Sequence, residues 1–158
     1  MFESEKEFQD EIQNNSSLQK DICSTLDIDY DKSKFIREDK YINGIVADFS
    51  IFEDGKIKAI AECKGGKINI TDFVRGIGQI FQYEYFAEKK LSSKQYEFVD
   101  FKDFSSVYIF PDSVLRNNDF NVGFFKYPES KKILEVNSNS LAVRLISNEE
   151  LIKMGGGV

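Results

Sequence analysis

The sequence contains no histidine. This absence excludes serine and cysteine hydrolases that use a histidine base, two-histidine phosphodiester cleavage, histidine-containing nuclease motifs and most zinc chemistry. Any chemistry that the chain performs must therefore use carboxylates, lysine, tyrosine or a hard metal ion.

Cysteines and long apolar runs are also scarce. The only cysteines, Cys23 and Cys63, suggest neither a disulfide framework nor a zinc site. No apolar window approaches the length of a membrane span, and the first segment, MFESEKEFQDEI, is too acidic for a signal or transit peptide. We therefore expect a cytoplasmic protein that does not associate with a membrane.

The overall composition is that of an ordinary globular protein. The chain has 158 residues, of which 41% are hydrophobic, enough for one domain with a sizeable core. The net charge of −6 counts against a stand-alone, non-specific nucleic-acid binder, because such affinity grows with the number of phosphates neutralised. A carboxylate cluster that binds a metal ion would itself lower the net charge.

Hydrophobic periodicity and capping signals predict alternating helices and strands. A capping box from Ser4 to Glu7 opens a helix to about Gln13, and Ser17 caps a second helix. We predict an α/β fold with a central mixed β-sheet flanked by helices, in one domain over residues 1–153, with 154–158 as a flexible tail or linker start. The predicted strands are KFIREDKYI, IVADFSIF, KIKAIAECK, SSVYIFP, NVGFFKYP and KKILEV, with helices over 71–90 and from Ser147.

The segment from residue 45 to residue 64 predicts a β-hairpin with one apolar face. Each strand carries one set of alternating apolar residues. The two sets lie on the same face only if a residue of one set is directly opposite a residue of the other, a condition called matching parity. A two-residue loop at Asp54-Gly55 would break the match, whereas a three-residue loop from Glu53, with Gly55 left-handed, pairs Phe52 with Lys56 and restores it. We therefore predict the three-residue loop. The two sets are Ile45, Ala47, Phe49 and Ile51, and Ile57, Ala59, Ala61 and Cys63.

The opposite face of this hairpin carries Asp48, Glu62 and Lys64. In the predicted register Asp48 lies across from Ile60, which makes Glu62 its diagonal neighbour. Two such carboxylates suit Mg²⁺, a hard cation that polarises a phosphoryl oxygen and acidifies a bound water. Lys64 can orient or deprotonate that water, or neutralise charge on the phosphate. The backbone carbonyl of Cys63 is a further candidate ligand.

The helix over 71–90 has polar side chains opposite its apolar stripe. Arg75, Gln79 and Gln82 project from the polar side, with Tyr83 nearby. Arg75, and Lys67 just before the helix, are candidates for phosphate contact, although single cations of this kind are usually only solvated. The predicted stripe is Phe73, Val74, Ile77, Ile80 and Phe81, and Gly76 and Gly78 are expected to admit a neighbouring backbone.

The pattern VAD…AECK, with thirteen residues between Asp48 and Glu62, resembles the signature of PD-(D/E)xK nucleases. Gln79 and Tyr83 match the QxxxY element of similar nucleases, and the segment SEKEF resembles their first helix, which makes Glu5 the matching glutamate. Alanine stands at position 47, where the family name has proline.

The resemblance implies a restriction-endonuclease-like domain that hydrolyses DNA with Mg²⁺, for which Mn²⁺ can substitute, in a restriction or other prokaryotic defence system. Asp48, Glu62, the Cys63 carbonyl and Glu5 would then surround the metal. Lys64 would serve the attacking water, and Gln79 and Tyr83 would contact the substrate or brace the site. Acidity and small size suggest that target recognition needs a homodimer or an additional recognition domain or subunit.

Other interpretations remain open at this point. Glu62 and Lys64 alone would suit a solvated strand face with a weak surface ion pair. A catalytically inactive nuclease-like module for binding or assembly has the same motifs. An acidic protein-interaction domain predicts that Asp48 and Glu62 lie far apart. Gly65 and Gly66 are interpreted as clearance for a substrate backbone.

Overall fold

A computed structural model describes residues 2–41, 46–66, 70–88, 105–115, 131–147, 149–150 and 153, without the side chains of residues 70, 83–88 and 115. The predicted strand NVGFFKYP and the 154–158 tail lie outside these ranges. No helix within them is both long and apolar enough to cross a bilayer. The elements are α1 (Glu5–Asn14), α2 (Ser16–Thr25), a 3₁₀ helix (Tyr30–Lys32), β1 (Ser33–Lys40), β2 (Val46–Glu53), β3 (Lys56–Cys63), α3 (Ile70–Glu88), β4 (Ser105–Pro111), α4 (Asp112–Leu115), β5 (Lys131–Val136) and β6 (Val143–Leu145).

The strands form one sheet in the order β1-β2-β3-β4-β5-β6. The neighbours β3, β4 and β5 run parallel, whereas the pairs β1–β2, β2–β3 and β5–β6 run antiparallel. The sheet is therefore mixed, and with the helices it builds a single α/β domain, as the alternation of elements predicts. The short elements α4 and β6 have no counterpart in the sequence-based prediction.

Helices cover both faces of this sheet. On one face, α1 and α2 bury Phe8, Ile12 and Ile22 in a cluster with apolar side chains of β2 to β5. On the other face, α3 buries Phe73 and Ile80 in a second cluster. Strands that are buried on both sides lose the clean alternation of a half-exposed sheet, which is why the middle strands read as almost continuous apolar runs.

The turn between β2 and β3 differs from the predicted one. It is a two-residue turn at Asp54 (φ 49°) and Gly55 (φ 76°), with positive φ at both positions as a type I′ hairpin turn requires, so the predicted three-residue loop is wrong. Parity is restored instead by a register shift between Ile51 and Phe52, a β-bulge that adds one residue to β3. The resulting pairs are Phe52–Ile57, Ile51–Ala59, Ser50–Ile60 and Phe49–Ala61.

This register changes the predicted neighbours of Asp48. Ser50, and not Asp48, pairs with Ile60, and the same register continued by one pair places Asp48 directly opposite Glu62. The predicted apolar face is also divided between the two clusters. Phe49, Ile51, Ala59, Ala61 and Cys63 belong to the cluster under α1 and α2, whereas Ala47 and Ile57 belong to the cluster under α3.

The N-terminal helices begin at polar caps. The Ser4 hydroxyl accepts a hydrogen bond from the Glu7 amide at 3.1 Å, as predicted, while the Glu7 carboxylate accepts from the Glu3 amide at 2.8 Å. The cap of α2 is Asn15, whose side chain accepts from the Leu18 amide, and not the predicted Ser17. Near the end of the chain, Ser147 accepts from the Glu150 amide at 3.1 Å, which is the predicted capping contact.

Helix α3 buries a narrower stripe than the predicted one. Phe73 and Ile80 are fully buried, whereas Val74 and Phe81 are each 46% exposed. Gly76 admits a side chain rather than a backbone, because a Cβ there would lie 1.9 Å from the Tyr108 hydroxyl. That hydroxyl donates to the Phe73 carbonyl at 3.0 Å and fastens α3 to β4.

Candidate active site

Asp48 and Glu62 stand on neighbouring strands, β2 and β3, at the end of the hairpin away from its turn. Glu62 is only 2% exposed, and Asp48 is half-buried. The Cys63 amide donates to the Asp48 Oδ2 atom at 2.7 Å, which fixes the Asp48 side chain across the strand pair. The wide separation expected of an acidic interaction domain is therefore not found.

Lys64 follows β3 directly and contacts two carboxylates. Its Nζ donates to Glu62 Oε1 at 3.0 Å and to Glu5 Oε2 at 3.3 Å, and the lysine side chain is only 12% exposed. Burial by itself would lower the pKa of Lys64, but the adjoining carboxylates outweigh burial and raise this pKa above its usual value. Lys64 is therefore an ammonium ion at neutral pH, which suits orienting a group or neutralising charge better than accepting a proton.

The Asp48 carboxyl group has a strongly perturbed pKa. Burial, followed by repulsion from Glu62 and more weakly from Glu5, raises its pKa to about 7, although the hydrogen bond from Cys63 and the charge of Lys64 lower it. Three carboxylates thus share one ammonium group. Since an added cation would relieve this repulsion, the charge balance fits a metal ion.

Glu5 reaches this site because the start of α1 lies against the end of β3. Ser4 and Gly66 form an isolated β-bridge, and Gly66 has a φ of +70°. A Cβ at Gly66 would lie 2.7 Å from the Glu3 carbonyl oxygen, and one at Gly65 would lie 3.1 Å from the Phe8 Cβ. The two glycines therefore make room for α1, a role that their interpretation as clearance for a substrate did not include.

The other glutamates of α1 are engaged elsewhere. Glu7 accepts from the Glu3 amide, and Glu11 accepts from the Asn15 side chain at 2.8 Å. Glu5 is thus the glutamate of this helix that lies beside Lys64.

Cys63 offers its backbone and not its side chain. The thiol is fully buried in the core under α1 and α2, and burial raises its pKa well above the usual value, so it stays protonated. In an extended strand the N–H and the C=O of one residue point to the same side. Because the Cys63 N–H is directed at Asp48, its carbonyl oxygen also faces the β2 side.

The donor set fits a hard cation through two carboxylates and one carbonyl. Asp48, Glu62 and the Cys63 backbone would hold it, and water would complete the shell, as is usual for Mg²⁺. Within the described ranges, however, no group of three or more Cys, Asp and Glu side chains has a geometry that could hold a metal. The Lys64 ammonium bridges Glu5 and Glu62, which explains why Glu5 does not converge with the other two carboxylates.

A cavity of about 450 Å³ opens beside Lys64 and Glu5. Arg75, from the first part of α3, lines it, and its guanidinium lies 3.8 Å from the Asp72 carboxylate with 69% of the side chain exposed. Gln79 is half-buried and is not among the described residues that line the cavity. The Tyr83 side chain and Lys67 lie outside the described residues. The described lining is Glu3, Ser4, Glu5, Lys64, Gly65, Asp72 and Arg75.

Three residues near the site are absent from the sequence-based prediction. Asp72 lines the cavity, and Gln9 and Arg37 connect to Glu5 through side-chain hydrogen bonds. The spacing of Gln9, four residues after Glu5 on one helix, is a signal that could have found it. Arg37 is on a separate strand, and no local pattern connects it with Glu5.

The fold and the site define a single α/β domain with two carboxylates and a lysine at the end of a central strand pair. No protein-family model and no curated protein matches the chain. Among solved structures, the chain is similar to an XisH family protein from Nostoc punctiforme PCC 73102, with 13% identity and a TM-score of 0.48 over 84% of this chain and 98% of that one. A similarity this distant carries no conclusion about function.

Proposed function

We propose that this protein is a metal-dependent nuclease of the PD-(D/E)xK type that hydrolyses phosphodiester bonds in DNA. The observation that carries the proposal is the group formed by Asp48, Glu62 and Lys64. Two carboxylates face each other on adjacent strands, and a lysine two residues further along contacts one of them at 3.0 Å. The motif VAD…AECK supplies these same three residues in the order that the resemblance requires.

In this proposal Asp48, Glu62 and the Cys63 carbonyl hold Mg²⁺, or Mn²⁺ in its place, and Glu5 approaches from α1. The bound cation supplies positive charge that polarises a phosphoryl oxygen. Lys64, as an ammonium ion, orients the attacking water by donating a hydrogen bond and offsets the negative charge that develops on the phosphate.

The substrate would enter through the cavity beside Lys64. Arg75 at its wall is placed to contact a phosphate once its ion pair with Asp72 opens, since the guanidinium presents several donors to an anion. Lys67, Gln79 and Tyr83 are proposed as further substrate contacts, on the motif alone. The net charge of −6 supports a homodimer or an additional recognition domain as the source of DNA affinity. We place the activity in a cytoplasmic restriction or other prokaryotic defence system.

Replacement of Lys64 by alanine tests the proposed function. Plasmid, linear duplex and single-stranded DNA would be incubated with the wild-type protein and with Lys64→Ala, with Mg²⁺, with Mn²⁺ and with EDTA. We expect metal-dependent cleavage by the wild type and a loss of about 100-fold or more in the variant, as for removal of one transition-state donor. Lys58→Ala is the matched control, because this lysine lies on β3, the strand just before Lys64 in the chain, and is similarly buried but pairs with Glu53.

Full activity in Lys64→Ala would refute the assigned role of this lysine. Cleavage that persists in EDTA would refute metal dependence. Thermal unfolding of both variants would show whether lost activity reflects lost structure.

A second candidate function is a nuclease-like module that binds or assembles without cleaving. The observation that favours it is the double contact of Lys64 with Glu5 and Glu62, which places an ammonium group where a metal would need those carboxylates. Titration with Mn²⁺ separates the two functions. The nuclease predicts binding that Asp48→Asn removes, whereas the inactive module predicts no binding in either protein.

A further inference from the structure

The carboxylate of Glu5 is held from two sides. Its Oε2 atom accepts from Lys64 Nζ at 3.3 Å, and its Oε1 atom accepts from Gln9 Nε2 at 3.4 Å. The second contact is long, but it joins residues four apart on one helix, where side chains meet naturally. The orientation of Glu5 therefore depends in part on Gln9.

The side chain of Gln9 is itself fixed by Arg37. Its Oε1 atom accepts from Arg37 Nη2 at 3.2 Å, and Gln9 is only 7% exposed. A guanidinium group can donate but cannot accept a hydrogen bond, so the carbonyl end of the Gln9 amide must face Arg37. The NH₂ end is then directed at Glu5. Arg37 thus determines that the NH₂ end of the Gln9 amide faces Glu5.

Arg37 has a second anchor on α1. Its Nη1 atom pairs with Asp10 Oδ1 at 2.5 Å, and Asp10 also pairs with Lys6 at 3.0 Å. Because Arg37 is on β1 while Gln9 and Asp10 are on α1, the contacts connect the helix that carries Glu5 to the sheet that carries the other carboxylates.

A neutral amide between Arg37 and Glu5 has a chemical consequence. An arginine placed directly on Glu5 would form a strong, charge-assisted ion pair and would occupy the carboxylate. Gln9 lets Arg37 influence the orientation of Glu5 without bringing the positive charge of Arg37 into contact with the carboxylate. Gln9 therefore helps to position Glu5 without adding a second positive charge to that of Lys64, which already contacts this carboxylate.

We infer that Gln9, oriented by Arg37, is a positioning residue that holds the Glu5 carboxylate at the site of Asp48, Glu62 and Lys64. The inference rests on the proposed function for what this site binds. The contacts themselves, from Lys64 and Gln9 to Glu5 and from Arg37 to Gln9, do not depend on that function.

A double-mutant cycle in metal-free protein tests the contact. Gln9→Met keeps the length of the side chain and removes the amide, and Glu5→Ala removes the carboxylate. If Gln9 holds Glu5, the fall in Tm caused by Gln9→Met should shrink by about half in the Glu5→Ala background, because contacting residues are not additive. Equal falls in both backgrounds would overturn the inference.

Binding of manganese chloride, followed by the electron paramagnetic resonance of free Mn²⁺, tests the consequence for the site. We expect Gln9→Met and Arg37→Met each to weaken Mn²⁺ binding by about three- to tenfold. This is less than the effect of about tenfold or more that is usual for residues that orient metal ligands, because the Gln9–Glu5 contact is long. Asp10→Asn is the control, because it removes the negative charge of the outer partner of Arg37 and leaves the Gln9 contact. Its affinity should stay within about twofold of wild type.

The two assays separate failure of this inference from failure of the proposed function. Wild-type affinity in Gln9→Met would overturn the inference even if the wild type binds Mn²⁺ tightly. A wild type that binds no Mn²⁺ would refute the metal-dependent function, and the metal-free cycle would still decide whether Gln9 holds Glu5.

Discussion

Asp48 should destabilise the metal-free protein at neutral and alkaline pH. Its pKa rises from 3.8 to about 7 on folding, so the folded state binds more protons than the unfolded chain between these values. Stability from this carboxyl is therefore fully present below about pH 4 and is lost as the pH rises through 7. At about 1.4 kcal/mol per pKa unit, the loss amounts to about 4 kcal/mol. We expect about 2–4 kcal/mol, because the side chain is partly exposed to screening solvent.

The variant Asp48→Asn removes this charge and keeps an oxygen that can accept from the Cys63 amide. Urea unfolding followed by circular dichroism in EDTA, at pH 4, 6 and 8, measures the effect. The variant should match the wild type at pH 4 and exceed its free energy of unfolding by about 2–4 kcal/mol at pH 8. Added Mg²⁺ at pH 8 should stabilise only the wild type, because the cation binds the folded state through the carboxylate.

Asp10→Asn is a control for which we expect a change in the free energy of unfolding of the opposite sign. Hydrogen bonds from Arg37 and Lys6 lower the pKa of Asp10, so Asp10→Asn should destabilise the protein above pH 4. An Asp48→Asn variant that is no more stable than the wild type at pH 8 would show that Asp48 is neither buried nor close enough to Glu62 to be perturbed. The electrostatic argument for a cation site would then fail.

Three further predictions concern packing and burial. Gly76→Ala should lower the free energy of unfolding by about 2 kcal/mol or more, because its Cβ would overlap the Tyr108 hydroxyl. Gly78→Ala on the same helix should raise the free energy of unfolding by up to about 1 kcal/mol, because no atom of the other described elements lies within 4 Å of the added Cβ. Gly66→Ala should cost about 1–3 kcal/mol, because its φ is +70° and a Cβ would meet backbone. Lys131→Met should stabilise the protein at pH 7, by about 1–3 kcal/mol, because burial lowers the pKa of this lysine to about 8.

Chemical denaturation of each variant measures these three effects. Equal effects at positions 76 and 78 would contradict the packing of Tyr108 against α3. An unchanged Gly66→Ala variant would mean that α1 does not approach the end of β3. The gain from Lys131→Met should shrink between about pH 8 and pH 10.5, because in this range the folded protein has lost the Lys131 proton while the unfolded chain still holds it. A gain that is constant with pH would exclude burial of the charge as its cause.

Local signals in the sequence predict most of the helices and strands. The strand SSVYIFP ends at Pro111 and KKILEV spans β5, as their apolar runs and flanking residues indicate. Ser4 caps α1 because a short hydroxyl side chain satisfies an amide that the first helical turn leaves free. These elements depend on residues within a few positions of one another, and an isolated sequence contains that information.

The hairpin shows where local reasoning ends. The requirement that opposed residues match in parity is correct, but a two-residue turn followed by a bulge meets it as well as a three-residue loop does. The choice depends on the second apolar cluster, in which Phe52 and Ile57 pack under α3. A helix that begins after the hairpin thus decides the register within it.

The sequence by itself predicted that Asp48, Glu62 and Lys64 share one face of a strand pair, because side chains alternate along each strand and the apolar sets of the two strands must share the other face. Only the tertiary structure decided that Asp48 lies directly opposite Glu62 and that Gly65 and Gly66 admit α1. Those contacts join residues that are distant in the chain, and the packing that brings Glu5 to Lys64 has no local signature. The sequences of the strands therefore identify the residues of the candidate site, and the packing of the helices against the sheet sets its geometry.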